Sequence, residues 1–159
     1  MDGSEFVKGN GMVIRIATRD DADVLIGFNT AMALETERKT LDQDVVGPAV
    51  AAIFDDENKG FYVVAEEDGE ICGGLLITYE WSDWRNAWWW WIQSVYIRSE
   101  TRGRRIYSHL YDFVKARAKE AGDVYGIRLY VETENIHAQR VYEKVGMQRS
   151  PYLMYDETL

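Results

Sequence analysis

The chain has 159 residues, a formal net charge of -9, a 47% hydrophobic share and a 13% aromatic share. That length fills one core and is short for two, and the acidity argues against a nucleic-acid partner, which selects a basic face. No apolar run reaches the roughly 18 residues of a membrane span, no signal-peptide pattern opens the chain, and the single cysteine, Cys72, supports neither a disulfide framework nor a thiolate metal cluster. A cytoplasmic protein with no bound metal and no membrane contact is expected.

Gly3-Ser4-Glu5-Phe6 is what two adjoining cloning sites encode. Residues 1–11 are therefore read as an expression tag, and residues 12–159 as one domain. Val13–Ala17 alternates apolar and polar residues and predicts a strand. Thr18 is an N-cap for a helix over Asp20–Glu37, with acids in its first turn. A second helix is expected over Asp42–Phe54, kinked or divided at Gly47-Pro48. Strands follow at Phe61–Glu66 and Ile71–Tyr79, joined at the turn signal Asp68-Gly69. Trp81–Asn86 reads as a turn and Ala87–Ile97 as a long strand. A helix opening at Ile106 stops at Ala121-Gly122, Gly126–Glu132 is a further strand, Ile136–Val145 a short helix, and Met147–Tyr155 a last strand. The order β-α-α-β-β-β-α-β-α-β, a meander followed by alternation, implies a mixed α/β sheet.

The stretch from Trp88 to Ala121 carries the most information. An apolar strand leads into a turn holding Arg102, Gly103, Arg104 and Arg105, and then into a helix whose Ile106, Leu110, Phe113 and Val114 share one face. Basic side chains crowd a helix N-terminus, where unpaired N–H groups and the positive dipole end already favour an anion. The alternative is a solvated turn paired with Glu100. A phosphate-bearing ligand suits a local positive excess on an acidic chain.

Two windows together resemble one family. Arg102-Gly103-Arg104-Arg105-Ile106-Tyr107, after the strand Ser94-Val95-Tyr96-Ile97-Arg98, matches the cofactor turn of the GCN5-related N-acetyltransferase (GNAT) superfamily. Asn135, Ala138 and Tyr142-Glu143-Lys144-Val145-Gly146-Met147 match its downstream pattern. The resemblance spans residues 12–159. It implies a mixed, mostly antiparallel sheet of six to seven strands, flanked by about four helices, with the fourth and fifth strands splayed.

It further implies acetyl transfer from acetyl-CoA to a primary amine by direct attack in a ternary complex. The backbone of Val95, Tyr96 and Ile97 would hold the acyl and pantetheine region, opened by a strand bulge. The amides of Gly103, Arg104, Arg105, Ile106, Tyr107 and Ser108 would take the diphosphate beside Arg102. Asn135 would bond the pantetheine arm, or serve as a plain N-cap, and Tyr142 would protonate the departing sulfur. The family has glycine where Arg105 stands and a small residue where Tyr107 stands, so weakened cofactor binding is one reading. Gln93 occupies the place where a glutamate base is looked for. Glu35, Glu37, Glu80 and Asp83 are the other candidates, with solvent as the fallback.

Trp88 and Trp90 face one side of their strand and Trp89 and Trp91 the other. One pair is expected in the core and the other in the acceptor cleft, with Tyr79, Trp81 and Trp84 at its rim. Glu35, Trp81, Trp91 and Gln93 are thus the candidate acceptor contacts, and aromatic walls with carboxylates suit a small cationic amine. The rival assignment gives all the tryptophans to packing or a homodimer interface. Two other functions stay open: a protein N-acetyltransferase, and an inactive acyl-CoA-binding sensor.

Overall fold

A computed structural model describes residues 5–7 and 11–159. The chain falls into two compact units, Met1–Leu129 and Tyr130–Leu159. The first holds β1 (Glu5–Val7), β2 (Val13–Ile16), α1 (Ala22–Glu37), α2 (Gln43–Asp55), β3 (Phe61–Glu67), β4 (Glu70–Ser82), β5 (Ala87–Ile97), α3 (Ile106–Ala121) and β6 (Val124–Arg128). The second holds α4 (Ile136–Lys144). The described strands form one six-stranded sheet in the order β1-β2-β3-β4-β5-β6. Every pairing is antiparallel except β5 with β6, which is parallel. A parallel pair needs a long crossover, and α3 supplies it. The fold class is the mixed α/β one expected.

Local chemistry sets the turns. Asp68 and Gly69 both take positive φ, 52° and 80°, as a two-residue hairpin matched to strand twist demands. Thr18 N–H donates to Asp21 Oδ2 at 2.8 Å, opening a short 3-10 turn over Arg19–Asp21 that runs into α1. Asp42 caps α2 by accepting from Asp44 N–H.

Several boundaries differ from expectation. Glu5–Val7 of the segment set aside as a tag adds an edge strand to β2, and the Phe6 ring meets Phe113 edge-on at 5.1 Å; residues 1–4 and 8–10 of that segment lie outside the described residues. Pro48 sits inside α2 without dividing it. Its missing N–H removes one helical bond, while Val50 on the same helix is buried at the sheet. β4 continues through Trp81 to Ser82, so the turn is shorter than Trp81–Asn86. β6 begins and ends earlier than Gly126–Glu132. Residues 147–159 carry no strand, against the expectation for Met147–Tyr155. Arg149-Ser150-Pro151 interrupts that run, and proline cannot donate to a ladder.

Side-chain alternation sorts the sheet's two faces. On one, Tyr62, Val64 and Leu76 pack with Leu25 and Phe28 of α1 and Val50 of α2. On the other, Ile14, Val63, Leu75, Ile77, Trp90 and Ile92 are buried, as are Ile106, Leu110, Phe113 and Val114 of α3. Arg15 lies beneath the α1 edge, with Nη1 2.7 Å from Asp21 Oδ2 and Nη2 2.9 Å from Glu66 Oε2. Burial alone would raise the Asp21 carboxyl, but its bonds from Arg15 and from the Thr18 backbone hold it below the ordinary 3.8.

Candidate active site

The site begins at an irregularity in β5. Leu76 pairs with Gln93 and Gly74 with Tyr96, so Leu75 alone faces Ser94 and Val95. This is a β-bulge, and Ser94 turns it by taking φ 52°. Gly73 and Gly74 make room beside it. A Cβ on Gly73 would lie 2.6 Å from Ile97 Cδ1 and 3.1 Å from Tyr96 O. A left-handed φ costs a side-chain-bearing residue about 1–2 kcal/mol, and most where it is β-branched. We expect Ser94→Val to lower stability by about 1–2 kcal/mol in denaturant titration and Ser94→Gly to preserve it.

β5 and β6 pair only from Trp88/Val124 to Trp91/Arg128. From Ile92 to Ile97, β5 has β4 on one side and, among the described residues, no strand on the other. The two strands therefore part just before the bulge, as the expectation of splayed strands required. Gly126 secures the paired end, because a Cβ there would lie 2.5 Å from the Trp89 ring.

Beyond β5, Ser99–Thr101 form a 3-10 turn and Arg102 leads to Gly103 and to Arg105 as N-cap of α3. Gly103 takes φ 80° with nothing within 4 Å of the position a Cβ would occupy. Arg105 takes φ 61°, the conformation for which glycine is suited, and makes no side-chain cap. The first N–H groups of a helix have no intrahelical acceptor, so the start of α3 presents donors. Tyr107 does not crowd this turn with its ring, which is buried and stacked on Tyr111 with centroids 6.1 Å apart. Replacing Arg105 by glycine should release strain and raise stability by about 0.5–1 kcal/mol, read as an increased midpoint of thermal unfolding.

The arginine charge is partly spent. Arg102 Nη2 lies 2.7 Å from Glu35 Oε2, its Nε donates to Ile97 O, and Tyr96 O–H donates to Glu35 Oε1 at 3.0 Å. Arg104 pairs with Glu67. Arg105 is exposed and has no ion pair among the described residues. The hydrogen bonds from Arg102 and Tyr96 hold the Glu35 carboxyl below its usual range, which disfavours it as a base. The structure thus joins Glu35 to Arg102, Tyr96 and Ile97, an association that spacing did not reveal.

Below the bulge, on the α1 side of the sheet, Gln93 Nε2 donates to Thr78 Oγ1 at 2.6 Å. Trp91 Nε1 donates to Glu80 Oε1 at 3.2 Å, and Arg128 Nη1 lies 3.0 Å from Glu80 Oε2. The Arg128 guanidinium stands 3.7 Å from the Trp89 ring centroid and 5.5 Å from that of Trp91. Trp91, expected among the acceptor contacts, and Glu80, a candidate base, already hold a cation. Arg128 was missed because only the β5/β6 register brings it opposite Trp91.

Trp81 lies on the other face of the sheet from Trp91 and Gln93, while Glu35 contacts Arg102 and Tyr96. Trp81 shares its face with Tyr79, Trp88 and Trp90, its centroid 4.9 Å from Trp88. Trp84 is 85% exposed in the β4–β5 turn.

In the second unit, Asn135 caps α4, its Oδ1 accepting from Ala138 N–H at 3.1 Å. Tyr142 lies on α4, and burial pushes its phenol above the ordinary 10.0. Gly146 takes φ 96° just past the helix. No group of three or more potential metal ligands occurs among the described residues, and no helix there is long and apolar enough to cross a membrane.

Comparison with curated proteins finds no match. A possible acetyltransferase from Clostridium difficile 630 is 41% identical with TM-score 0.87, over 93% of this chain and 97% of that one. A transcriptional regulator from Bacillus halodurans C-125 is 26% identical with TM-score 0.78, over 92% and 99%. A predicted acetyltransferase with acetyl-CoA from Clostridium acetobutylicum shares the fold at 19% identity and TM-score 0.74, over 92% and 96%. The family model described as Acetyltransferase (GNAT) family matches residues 22–147. With most of its length matched by that model, the chain belongs to the GNAT acetyltransferase family.

Proposed function

We propose that the protein transfers an acetyl group from acetyl-CoA to a small primary amine that arrives as an ammonium ion. The observation that carries this reading is the parting of β5 from β6 beyond Trp91 and Arg128, directly before the Ser94 bulge. A strand edge without a neighbour offers backbone groups to an extended ligand. The residues present fit such a ligand: the start of α3 presents donors, and Arg105 adopts the backbone angle that a glycine would give. Acetyl-CoA, when bound, supplies an activated thioester.

In this reading the backbone of Val95, Tyr96 and Ile97 bonds the acyl and pantetheine region, placing N–H dipoles where negative charge develops. Gly103, Arg104, Arg105, Ile106, Tyr107 and Ser108 direct their amides to the diphosphate. Arg102 and Arg104 share their charge between phosphate and the carboxylates of Glu35 and Glu67. Asn135 keeps its side-chain N–H groups for the pantetheine region while its oxygen caps α4. Tyr142 keeps its proton at neutral pH and gives it to the leaving sulfur. Gln93 accepts no proton. With Glu35 held low by Arg102, the ammonium loses its proton to water. The net charge of -9 draws a cationic acceptor.

Gln93 in the place of a base, with Glu35 and Glu80 each held by an arginine, also favours a second reading, an acyl-CoA-binding module with weak or no turnover. Thiol release should be followed over a panel of polyamines, amino sugars and peptides with free N-termini, beside calorimetry of acetyl-CoA binding. Turnover on a small amine supports the transferase. Binding with no turnover on any amine supports the sensor, turnover on peptides alone supports protein acetylation, and no binding removes all three.

A further inference from the structure

The aromatic chemistry on the two faces of β5 is the same, but its charge is settled on only one of them. On the α1 side, Trp89 and Trp91 carry the Arg128 guanidinium, itself held by Glu80. On the α3 side, Phe61, Tyr79, Trp88 and Trp90 form a continuous aromatic floor. Phe61 meets Trp90 edge-on with centroids 5.3 Å apart, Tyr79 lies 6.2 Å from Trp90 and 6.1 Å from Trp88, and Trp81 continues the floor at 4.9 Å from Trp88. No arginine or lysine among the described residues stands over any of these rings.

Instead, a cavity of about 450 Å³ lies there, lined by Phe61, Tyr79 and Trp90 with Glu57, Arg117 and Glu120. That volume suits a small organic ligand. The charged groups at its edge leave an excess of negative charge, because Arg117 Nη1 is paired with Glu120 Oε2 at 3.0 Å while Glu57 makes no ion pair among the described residues. Glu57 is close enough to act on the Tyr79 phenol, which burial first and the Glu57 charge second push above its ordinary value. A concave aromatic surface beside an uncompensated carboxylate attracts an ammonium ion through the ring quadrupoles and by Coulomb attraction.

We propose that the cavity between the β3–β5 aromatic floor and the end of α3 binds an organic ammonium ion with an apolar frame, at a site separate from acetyl transfer. The cation takes against Phe61, Tyr79 and Trp90 the place that Arg128 takes against Trp89 and Trp91. Glu57 supplies the counter-charge.

The test is choline, which has no primary amine to acetylate, beside its neutral isostere 3,3-dimethyl-1-butanol. Both are titrated into the full chain while the tryptophan indole N–H resonances are followed by NMR. Choline is expected to shift the Trp90 resonance saturably, with the neutral compound binding about 3- to 10-fold more weakly. Glu57→Gln, an exposed change, should weaken choline by a similar factor. Tyr79→Leu should do the same while leaving acetyl-CoA affinity unchanged by calorimetry. Equal binding of the neutral compound, choline shifts confined to Trp89 and Trp91, or insensitivity to both substitutions would each overturn the proposal. Because choline is not an acceptor amine, these outcomes stand apart from any failure of the transferase assay.

Discussion

Tyr142→Phe is expected to lower kcat by about 100-fold or more while acetyl-CoA affinity stays within a factor of two, since a positioned general acid contributes roughly 10²–10⁴. The phenol oxygen is the one atom removed, so α4 and its Asn135 cap should persist. The pH profile adds a second readout. Burial raises the Tyr142 phenol above 10.0, so its proton is present throughout the neutral range and is lost only at strongly alkaline pH. Wild-type activity should therefore show an alkaline limb that the phenylalanine variant lacks. An unchanged kcat would remove Tyr142 as the acid, whatever the acceptor proves to be.

Arg15→Met should destabilise the fold by about 3–5 kcal/mol, because it strands the largely buried Asp21 without its cation. That is a large part of the 5–15 kcal/mol by which domains are typically stable. The pH dependence should also weaken. In the wild type the Asp21 carboxyl lies below its ordinary 3.8, so its contribution is complete above that pH and is lost as pH falls through the folded value. Without Arg15, only the Thr18 bonds oppose burial, and the carboxyl rises from its wild-type value. The stability lost as pH falls through the Asp21 transition is then smaller in the variant than in the wild type. Denaturant titrations from pH 3 to pH 7 would show a flatter slope for the variant. Parallel curves would mean that Arg15 is not what holds Asp21 ionised.

The arginine turn shows how far local sequence carries. Arg102-Gly103 at the mouth of an amphipathic helix predicted a donor-rich helix start, and α3 opens there with Arg105 in the left-handed conformation. What spacing did not disclose is that Arg102 and Arg104 are paired with Glu35 and Glu67, which come from α1 and β3. Ion pairs between residues tens of positions apart depend on how elements pack, and no window of sequence holds both partners. The same reason explains Trp81: alternation gave the relative facing of neighbouring tryptophans within a strand, but β4 had to continue to Ser82 before Trp81 could be assigned to the face of Trp88. The missing strand at 147–159 is a different failure, in which apolar residues around Pro151 imitated a strand pattern without a ladder to join.

Periodicity, turn chemistry and two motif windows were enough to determine the order of elements from β2 to α4, the mixed sheet and the family, because those signals lie within short spans of chain. Only the tertiary structure decided where β5 parts from β6, which carboxylates hold the arginines, and which aromatic face already has its cation in Arg128. The strand parting and the Arg128 contacts depend on register between distant strands, where a shift of one residue would turn the side chains to the other face, and the carboxylate pairs depend on how α1 and β3 pack beside the arginine turn.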